Sequence, residues 1–244
     1  MAGETVKTEA ICLAIRPWSR TSHVVRWLTP SGPLTTLVKG AERPKSAFLG
    51  QYDLNYTCEI VYYASARGDA HALRECAPLL LRERLRGDYR AIVTSGYYRS
   101  LVAAFAPTGP DGRDWYALLA RALDALPASG VESALDALLR FELGALALTG
   151  LKPDFSGYPA GARWAAFSIE NGVFCADGPH PVRVSGEVAA YLDRPGAAKK
   201  NLQILLDAAR VIGVFYSFHL DCAPDVRRSV LRMICNKKEN NENG

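Results

Sequence analysis

The 244-residue sequence lacks the short motifs that mark common catalytic and nucleotide-binding sites. It contains no GxGxxG, no GxxxxGK[ST], no HExxH and no GxSxG. Its four histidines stand apart without metal-ligand spacing, no pair of carboxylates stands out, and Glu142 is interpreted as a solvated helix position. We therefore expect that the protein is not an enzyme. An enzyme with dispersed residues around segment 152–184 stays open as an alternative.

Long apolar runs are also missing. No stretch reaches the roughly 18 to 20 continuous apolar residues of a membrane span. The first ten residues, MAGETVKTEA, have no apolar core of the signal-peptide kind. We expect a cytoplasmic protein that makes no membrane contact.

The cysteines lack paired spacing, because no two of them form CxxC or CxC. This pattern disfavours both disulfides and a Cys-rich zinc site. We expect no metal and no cofactor. The six cysteines are Cys12, Cys58, Cys76, Cys175, Cys222 and Cys235.

The first eighty residues have the patterns of β-strands. In YDLNYTCEIVYYA, which starts at Tyr52, apolar and polar residues alternate strictly, as in a half-buried strand. Four further runs are rich in β-branched residues or alternate in the same way, and turn residues separate several of them. Short strands without a long helix between them predict a small closed β-barrel. The four runs are EAICLAIR, SHVVRWLT, PLTTLVKG and HALRECAPL.

After Pro78 the hydrophobic period becomes helical. The fold class is therefore α+β, with an N-terminal barrel domain (1–80) and an α-helical domain (81–235). A Gly- and Pro-rich segment (152–184) is predicted to be irregular, with a short hairpin at Asn171–Gly172, and a tail (236–244) to be disordered. The predicted helices are 85–105, 114–126, 129–149, 201–220 and 224–234.

Positive charge is concentrated within the predicted barrel. Between residues 16 and 45 the only acid is Glu42, and Trp18 and Trp27 lie among the cations. Cations neutralise phosphates and aromatic rings stack on bases, so this pattern favours a nucleic-acid groove. The alternative, that Trp27 is core and the arginines are merely solvated, stays open. The cations are Arg16, Arg20, Arg26, Lys39, Arg43 and Lys45.

The stretch LVKGAERPKSAFLGQYDLNYTCEIVYY resembles the N-terminal signature of the RecO family of bacterial recombination mediators. The shared features are a strand ending in Lys-Gly, a basic loop with Lys-Ser, a Gly, and an alternating strand ending in aromatics. The upstream AIRPWSRTSHVVRWLTPSGPLTTLVKG follows the same layout, and the helical order fits through LTGLKPDF. The resemblance implies an OB-fold barrel joined to a helical domain.

The resemblance also implies a function. Such a protein binds single- and double-stranded DNA and works with RecR in RecF-pathway DNA repair and recombination after DNA damage (the RecFOR pathway). It helps RecA load onto DNA covered by single-stranded-DNA-binding protein, and it anneals complementary strands. The DNA-binding residues would be the six cations above together with Trp18. A protein-interaction adaptor without direct DNA binding remains the alternative.

In the resembled family the acidic tail of single-stranded-DNA-binding protein docks on the helical domain. Because that tail ends in a carboxylate and buries a Phe, its receptor needs an apolar cavity beside a cation. The alternative is that the aromatics of the last helices are ordinary core and the arginines a solvated face. The residues expected to form this receptor are Arg210, Phe215, Tyr216, Arg227 and Arg228.

The sequence departs from the family at its zinc site. Many members carry four cysteines after a stretch like LGYxPDL, whereas this chain has only Cys175 there. One thiolate cannot hold a tetrahedral structural zinc. We expect aromatic packing to replace the metal. The residues proposed for that packing are Phe155, Tyr158, Trp164, Phe167 and Phe174.

Overall fold

Five strands form the N-terminal part of a computed structural model, which describes residues 4–65, 70–220 and 224–236. All five runs predicted to be strands are strands in the structure. They are β1 (Thr5–Ser19), β2 (Ser22–Thr29), β3 (Gly32–Val38), β4 (Thr57–Tyr63) and β5 (His71–Leu80).

These strands close into a barrel in the order β1-β2-β3-β5-β4. The long β1 pairs antiparallel with both β2 and β4, and β3 pairs in parallel with β5. This is the strand order of the OB-fold, so the predicted fold is confirmed. Alternate residues face the interior, where the fully buried Trp27 donates its indole N–H to Thr36 Oγ1 over 2.8 Å.

Strand β4 starts later than the alternation from Tyr52 predicts. Asn55 has a φ of 69°, which a strand cannot contain. Arg82 donates to Asn55 O over 2.7 Å and to Thr57 Oγ1 over 2.9 Å, which fixes the chain at the point where β4 begins. Tyr52 leaves the strand pattern and packs its ring edge-on to Trp27, with centroids 6.0 Å apart.

The rest of the chain is mainly helical. A short 3-10 helix (Glu83–Gly87) precedes α1, and the eight-residue α4, capped by Ser185, has no counterpart among the predicted helices. The other five helices match predicted ones to within a few residues. The helices are α1 (Tyr89–Phe105), α2 (Gly112–Asp124), α3 (Gly130–Leu148), α4 (Gly186–Asp193), α5 (Leu202–His219) and α6 (Pro224–Cys235).

Segment 152–184 contains a small antiparallel sheet, although its Gly and Pro content suggests an irregular chain. Strand β6 (Trp164–Ser168) lies between β7 (Val173–Phe174) and β8 (Pro181–Ser185). Strands β6 and β7 pair across the Asn171–Gly172 turn, where the sequence places a hairpin. Strands this short carry too little periodic signal to be recognised.

Residue contacts divide the chain into two compact units that do not follow sequence order. The first comprises Met1–Gly87 and Tyr98–Asp124, and the second comprises Asp88–Tyr97 and Ala125–Gly244. In the first unit α2 lies against β2 and β3, and a Cβ at Gly112 would overlap the backbone of Gly32. The predicted boundary near residue 80 separates parts of the chain that are expected to fold as domains. It stays a prediction.

The second unit is built on α3, whose inner face is almost entirely buried together with parts of α4, α5 and α6. No helix in the described part of the chain is both long and apolar enough to cross a membrane. Cys222 and most of the predicted disordered tail lie outside the described residues.

Candidate nucleic-acid interface

At one end of the barrel, the β1–β2 turn and the chain that leaves β3 lie side by side. Gly40 N donates to Ser22 Oγ and Glu42 N donates to Thr21 O, both over 3.2 Å. We call the segment 39–56 the basic loop. These two hydrogen bonds place its first residues beside the turn between β1 and β2.

Side chains strengthen this connection. His23 on β2 has Nε2 2.9 Å from Glu42 Oε1 and Nδ1 2.7 Å from the hydroxyl of Tyr52. The single acid among the cations therefore contacts a histidine of the barrel and helps to hold the basic loop in place. Glu42 has a structural role that the sequence does not reveal.

The rest of the basic loop is also ordered. Arg43 N donates to Gly40 O and Ser46 N to Arg43 O, which makes consecutive turns, and Lys45 adopts a φ of 66°. Further along, Phe48 packs against the barrel core. The loop is therefore a preorganised surface, and binding to it costs less entropy than binding to a free loop.

Five of the six predicted cations are exposed around this end of the barrel. No ion pair involves any of the five within the ranges that the structure describes. Trp18, with 69% of its surface exposed, lies among them on the last residues of β1. An exposed ring beside unneutralised cations has the chemistry to bind a single-stranded nucleic acid. The five cations are Arg16, Arg20, Lys39, Arg43 and Lys45.

Arg26 and Trp27 do not belong to this surface. Arg26 donates from Nη2 to Ala103 O over 2.7 Å and so packs β2 against the C-terminal part of α1. Trp27 is fully buried in the barrel core. The alternative of a core position therefore describes Trp27, whereas Arg26 is neither solvated nor part of the basic end but packs inside the first unit.

A second candidate site lies between the last two helices. Helices α5 and α6 border a groove of about 450 Å³, lined on its apolar side by Leu206, Val214 and Leu231. Arg210 is exposed at this groove, and Arg228 is exposed and pairs with Asp225 over 3.2 Å. Apolar surface and cations thus meet here, on two of the five residues predicted for the partner site.

The other three residues of that prediction are engaged inside the second unit. Phe215 and Tyr216 are 3% and 2% exposed, and the Tyr216 hydroxyl donates to Glu142 O. Arg227 borders the groove but donates to both carboxylate oxygens of the fully buried Glu142, over 2.6 and 2.9 Å. For Phe215 and Tyr216 the alternative of ordinary core packing describes the structure, and Arg227 is structural.

Glu142 is buried, so its interpretation as a solvated position is wrong. It also accepts a hydrogen bond from the Tyr97 hydroxyl over 2.8 Å. Burial disfavours the charged form of Arg227, but the adjacent Glu142 carboxylate outweighs it and raises the pKa of Arg227 above its usual value. The sequence feature that could have indicated the burial of Glu142 is its place as a single acid within the apolar run of α3, RFELGALAL.

Aromatic side chains pack together in segment 152–184, whose only cysteine is Cys175. Phe155 stacks on Phe167 with centroids 4.5 Å apart, and Phe174 contacts Phe155, Tyr158 and Phe167. Trp164 is an exception to the expected packing, since 43% of its surface is exposed. Cys175 is exposed, and the described residues contain no group of three His, Cys, Asp or Glu able to hold a metal.

The structure thus defines a class: an OB-fold barrel with an ordered basic end, followed by helices. A family model described as "Recombination protein O C terminal" matches residues 86–227, more than half of the chain. The DNA repair protein RecO of Roseiflexus sp. (strain RS-1) is 29% identical over 154 residues, which are 63% of this chain and 53% of that protein. The match therefore spans about half the length of that relative. The chain belongs to the RecO family.

Proposed function

We propose that the protein is a DNA-binding mediator of RecF-pathway recombination and repair, acting in the cytoplasm without enzymatic chemistry. It binds single- and double-stranded DNA at the basic end of the barrel. With RecR it helps RecA load onto single strands covered by single-stranded-DNA-binding protein, and it anneals complementary strands.

The observation that carries this proposal is the set of five exposed cations around the β1–β2 turn and the basic loop. None of the five pairs with an acid in the described chain, and the only acid of this stretch, Glu42, contacts His23. Binding of phosphates by these cations would release counterions and supply most of the affinity. Trp18 would add stacking with an unpaired base.

The groove between α5 and α6 supports the proposed contact with the tail of single-stranded-DNA-binding protein. The Phe of the tail would pack against the groove's apolar residues Leu206, Val214 and Leu231. Arg210 and Arg228 would hold the terminal carboxylate and the acidic side chains of the tail through charge-assisted hydrogen bonds. Phe215, Tyr216 and Arg227 would support the groove from within the second unit.

Fluorescence anisotropy with a labelled single-stranded oligonucleotide tests the function directly. We expect binding that weakens steeply as the salt concentration rises, since phosphate contacts release counterions. A duplex of the same sequence, measured in parallel, gives the preference between single and double strands. Absence of binding at low salt, together with binding to RecR, would favour an adaptor that does not contact DNA.

A further inference from the structure

We propose that the outer face of the small sheet is a second contact site for single-stranded nucleic acid, formed by Trp164 and Arg183. This site rests on the proposed function, because both require that the protein binds nucleic acid. It lies on the second unit, away in sequence from the basic end of the barrel.

The four tryptophans of the chain divide into two pairs. Trp27 and Trp115 are 0% and 1% exposed, whereas Trp18 and Trp164 are 69% and 43% exposed. A tryptophan ring that is exposed to solvent forgoes the favourable free energy of burial. Its exposure therefore indicates a candidate binding site. Each exposed tryptophan also lies beside arginines.

For Trp18 the neighbours are Arg16 and Arg20, two residues away on either side. For Trp164 they are Arg163, which precedes it, and Arg183 on the adjacent strand. The proposed second site therefore resembles the barrel site in its chemistry: an exposed ring beside arginine.

The register of the sheet puts Trp164 and Arg183 on one face. Ala165 and Val184 are paired and buried, so they define the inner face of the sheet. The neighbouring pair, Ala166 and Arg183, points to the opposite side. The guanidinium carbon of Arg183 lies 5.7 Å from the centroid of the Trp164 ring, which places a cation against the exposed indole.

The charge of Arg183 is not neutralised. In the described part of the chain two other arginines lie over aromatic rings, and each has an acid partner: Arg74 pairs with Glu75, and Arg86 pairs with Asp53. Arg183 takes part in no ion pair within the same residue ranges, and neither does the exposed Arg163. A stacked arginine with a free charge favours an anionic partner that also carries a flat ring.

Two acids restrict the path of such a partner. Glu187 and Asp207 line a cleft of about 610 Å³ where α4 and α5 begin, together with Arg163 and one side of Trp164, and Asp207 accepts a hydrogen bond from Gln203. These carboxylates repel phosphates from that cleft. A strand would instead cross the sheet face, with a base on Trp164 and a phosphate at Arg183.

The ligand is single-stranded because stacking on an exposed indole requires an unpaired base. Two separate single-strand sites on one chain allow it to hold two strands at once. This arrangement would serve strand annealing, which brings two such strands together.

Photocrosslinking with oligothymidylate that carries 5-iodouracil, followed by peptide mass spectrometry, tests the site. We expect crosslinked peptides that contain Trp18 and Trp164 in the wild-type protein. The Trp164→Ala, Arg183→Ala double variant should keep the crosslink at the barrel. Its crosslink yield at the sheet should fall at least tenfold. Trp164→Phe keeps a ring and should retain strand binding at this face, as an anisotropy titration against Trp164→Ala would show.

Two controls make the result decisive. Tyr89→Ala removes an aromatic side chain that is 59% exposed and should change neither crosslink. Arg183→Gln is a milder variant that is measured if the double variant unfolds in a thermal melt, and it should still lower the yield at the sheet.

The outcomes separate this inference from the proposed function. Crosslinks in the barrel alone, with unchanged strand binding by the sheet variants, would overturn the second site and leave the barrel function intact. Crosslinks at Trp164 alone would support the second site and contradict the barrel function. No crosslink at either place would contradict both.

Discussion

The arginines at the barrel end and the arginines of the last helices look alike in sequence but differ in their surroundings. At the barrel end Arg16, Arg20 and Arg43 are exposed and have no acid partner in the described chain. In α6 Arg227 is bound to the buried Glu142, and Arg228 pairs with Asp225 on the surface. The comparison shows that the number of cations in a region does not tell how many of them are free to bind an anion.

Among the substitutions that distinguish the two regions, Arg227→Ala should lower the free energy of unfolding most. This substitution leaves Glu142 as a buried charge without its partner, which typically destabilises a protein by about 3–5 kcal/mol. Urea denaturation, followed by circular dichroism, measures the loss. The matched control is Arg228→Ala, whose exposed ion pair contributes about 0–1 kcal/mol. Equal losses in the two variants would show that Arg227 is not structural.

The next effect concerns the groove between α5 and α6. Replacing Arg210 and Arg228 with Ala should weaken binding of the tail peptide of single-stranded-DNA-binding protein at least about tenfold, since a charge-assisted contact contributes roughly 1.5–3 kcal/mol. Anisotropy with the labelled peptide measures this change. Asp225→Ala, which frees Arg228 from its acid partner, should bind the peptide at least as well as the wild type. If the double variant retains full affinity, the cations that recognise the tail lie elsewhere.

A smaller effect on stability is expected at Asp136, a buried acid that pairs with the exposed cations Arg140 and Lys200. Burial alone would raise the pKa of the Asp136 carboxyl, but hydrogen bonds from Lys200 and Tyr191 and the charge of Arg140 hold it below its usual value. A depressed folded-state pKa gives stability that is present above the unfolded value, roughly 3.9, and is lost as the pH falls through the folded value.

Asp136→Asn should therefore lower the melting temperature at neutral pH, and the difference from the wild type should shrink below about pH 4. Thermal melts between pH 2.5 and 7 check this. A difference that stays constant across that range would mean that the Asp136 charge contributes nothing to stability.

The barrel was predictable because its signals are local. Alternation identifies each strand, and short turns between the strands leave few topologies. The start of β4 was not predictable, since Asn55 takes a positive φ and its carbonyl is held by Arg82, 27 residues away. Of the small sheet only the hairpin at Asn171–Gly172 was predicted, and β8 was missed because strands of two to five residues carry little periodic signal.

The sites were less predictable than the fold, since exposure depends on partners distant in sequence. Arg227 and its partner Glu142 are 85 residues apart, and Arg26 bonds to a carbonyl 77 residues away. No pattern near either arginine distinguishes it from the exposed Arg43. The exposed Trp164 likewise sits in a segment whose aromatics otherwise pack together.

The central claim is that the unneutralised cations of the basic loop bind phosphates, and the salt dependence of single-strand affinity tests it most directly. Arg43→Ala, Lys45→Ala is compared with Arg113→Ala, Arg121→Ala, which removes the same charge from exposed positions of α2. Each lost phosphate contact should flatten the plot of log affinity against log salt by about 0.7–1 unit. We predict a slope reduced by about 1.4–2 units in the loop variant and unchanged in the α2 variant. The same slope in the wild type and both variants would contradict the claim and place the phosphate contacts elsewhere.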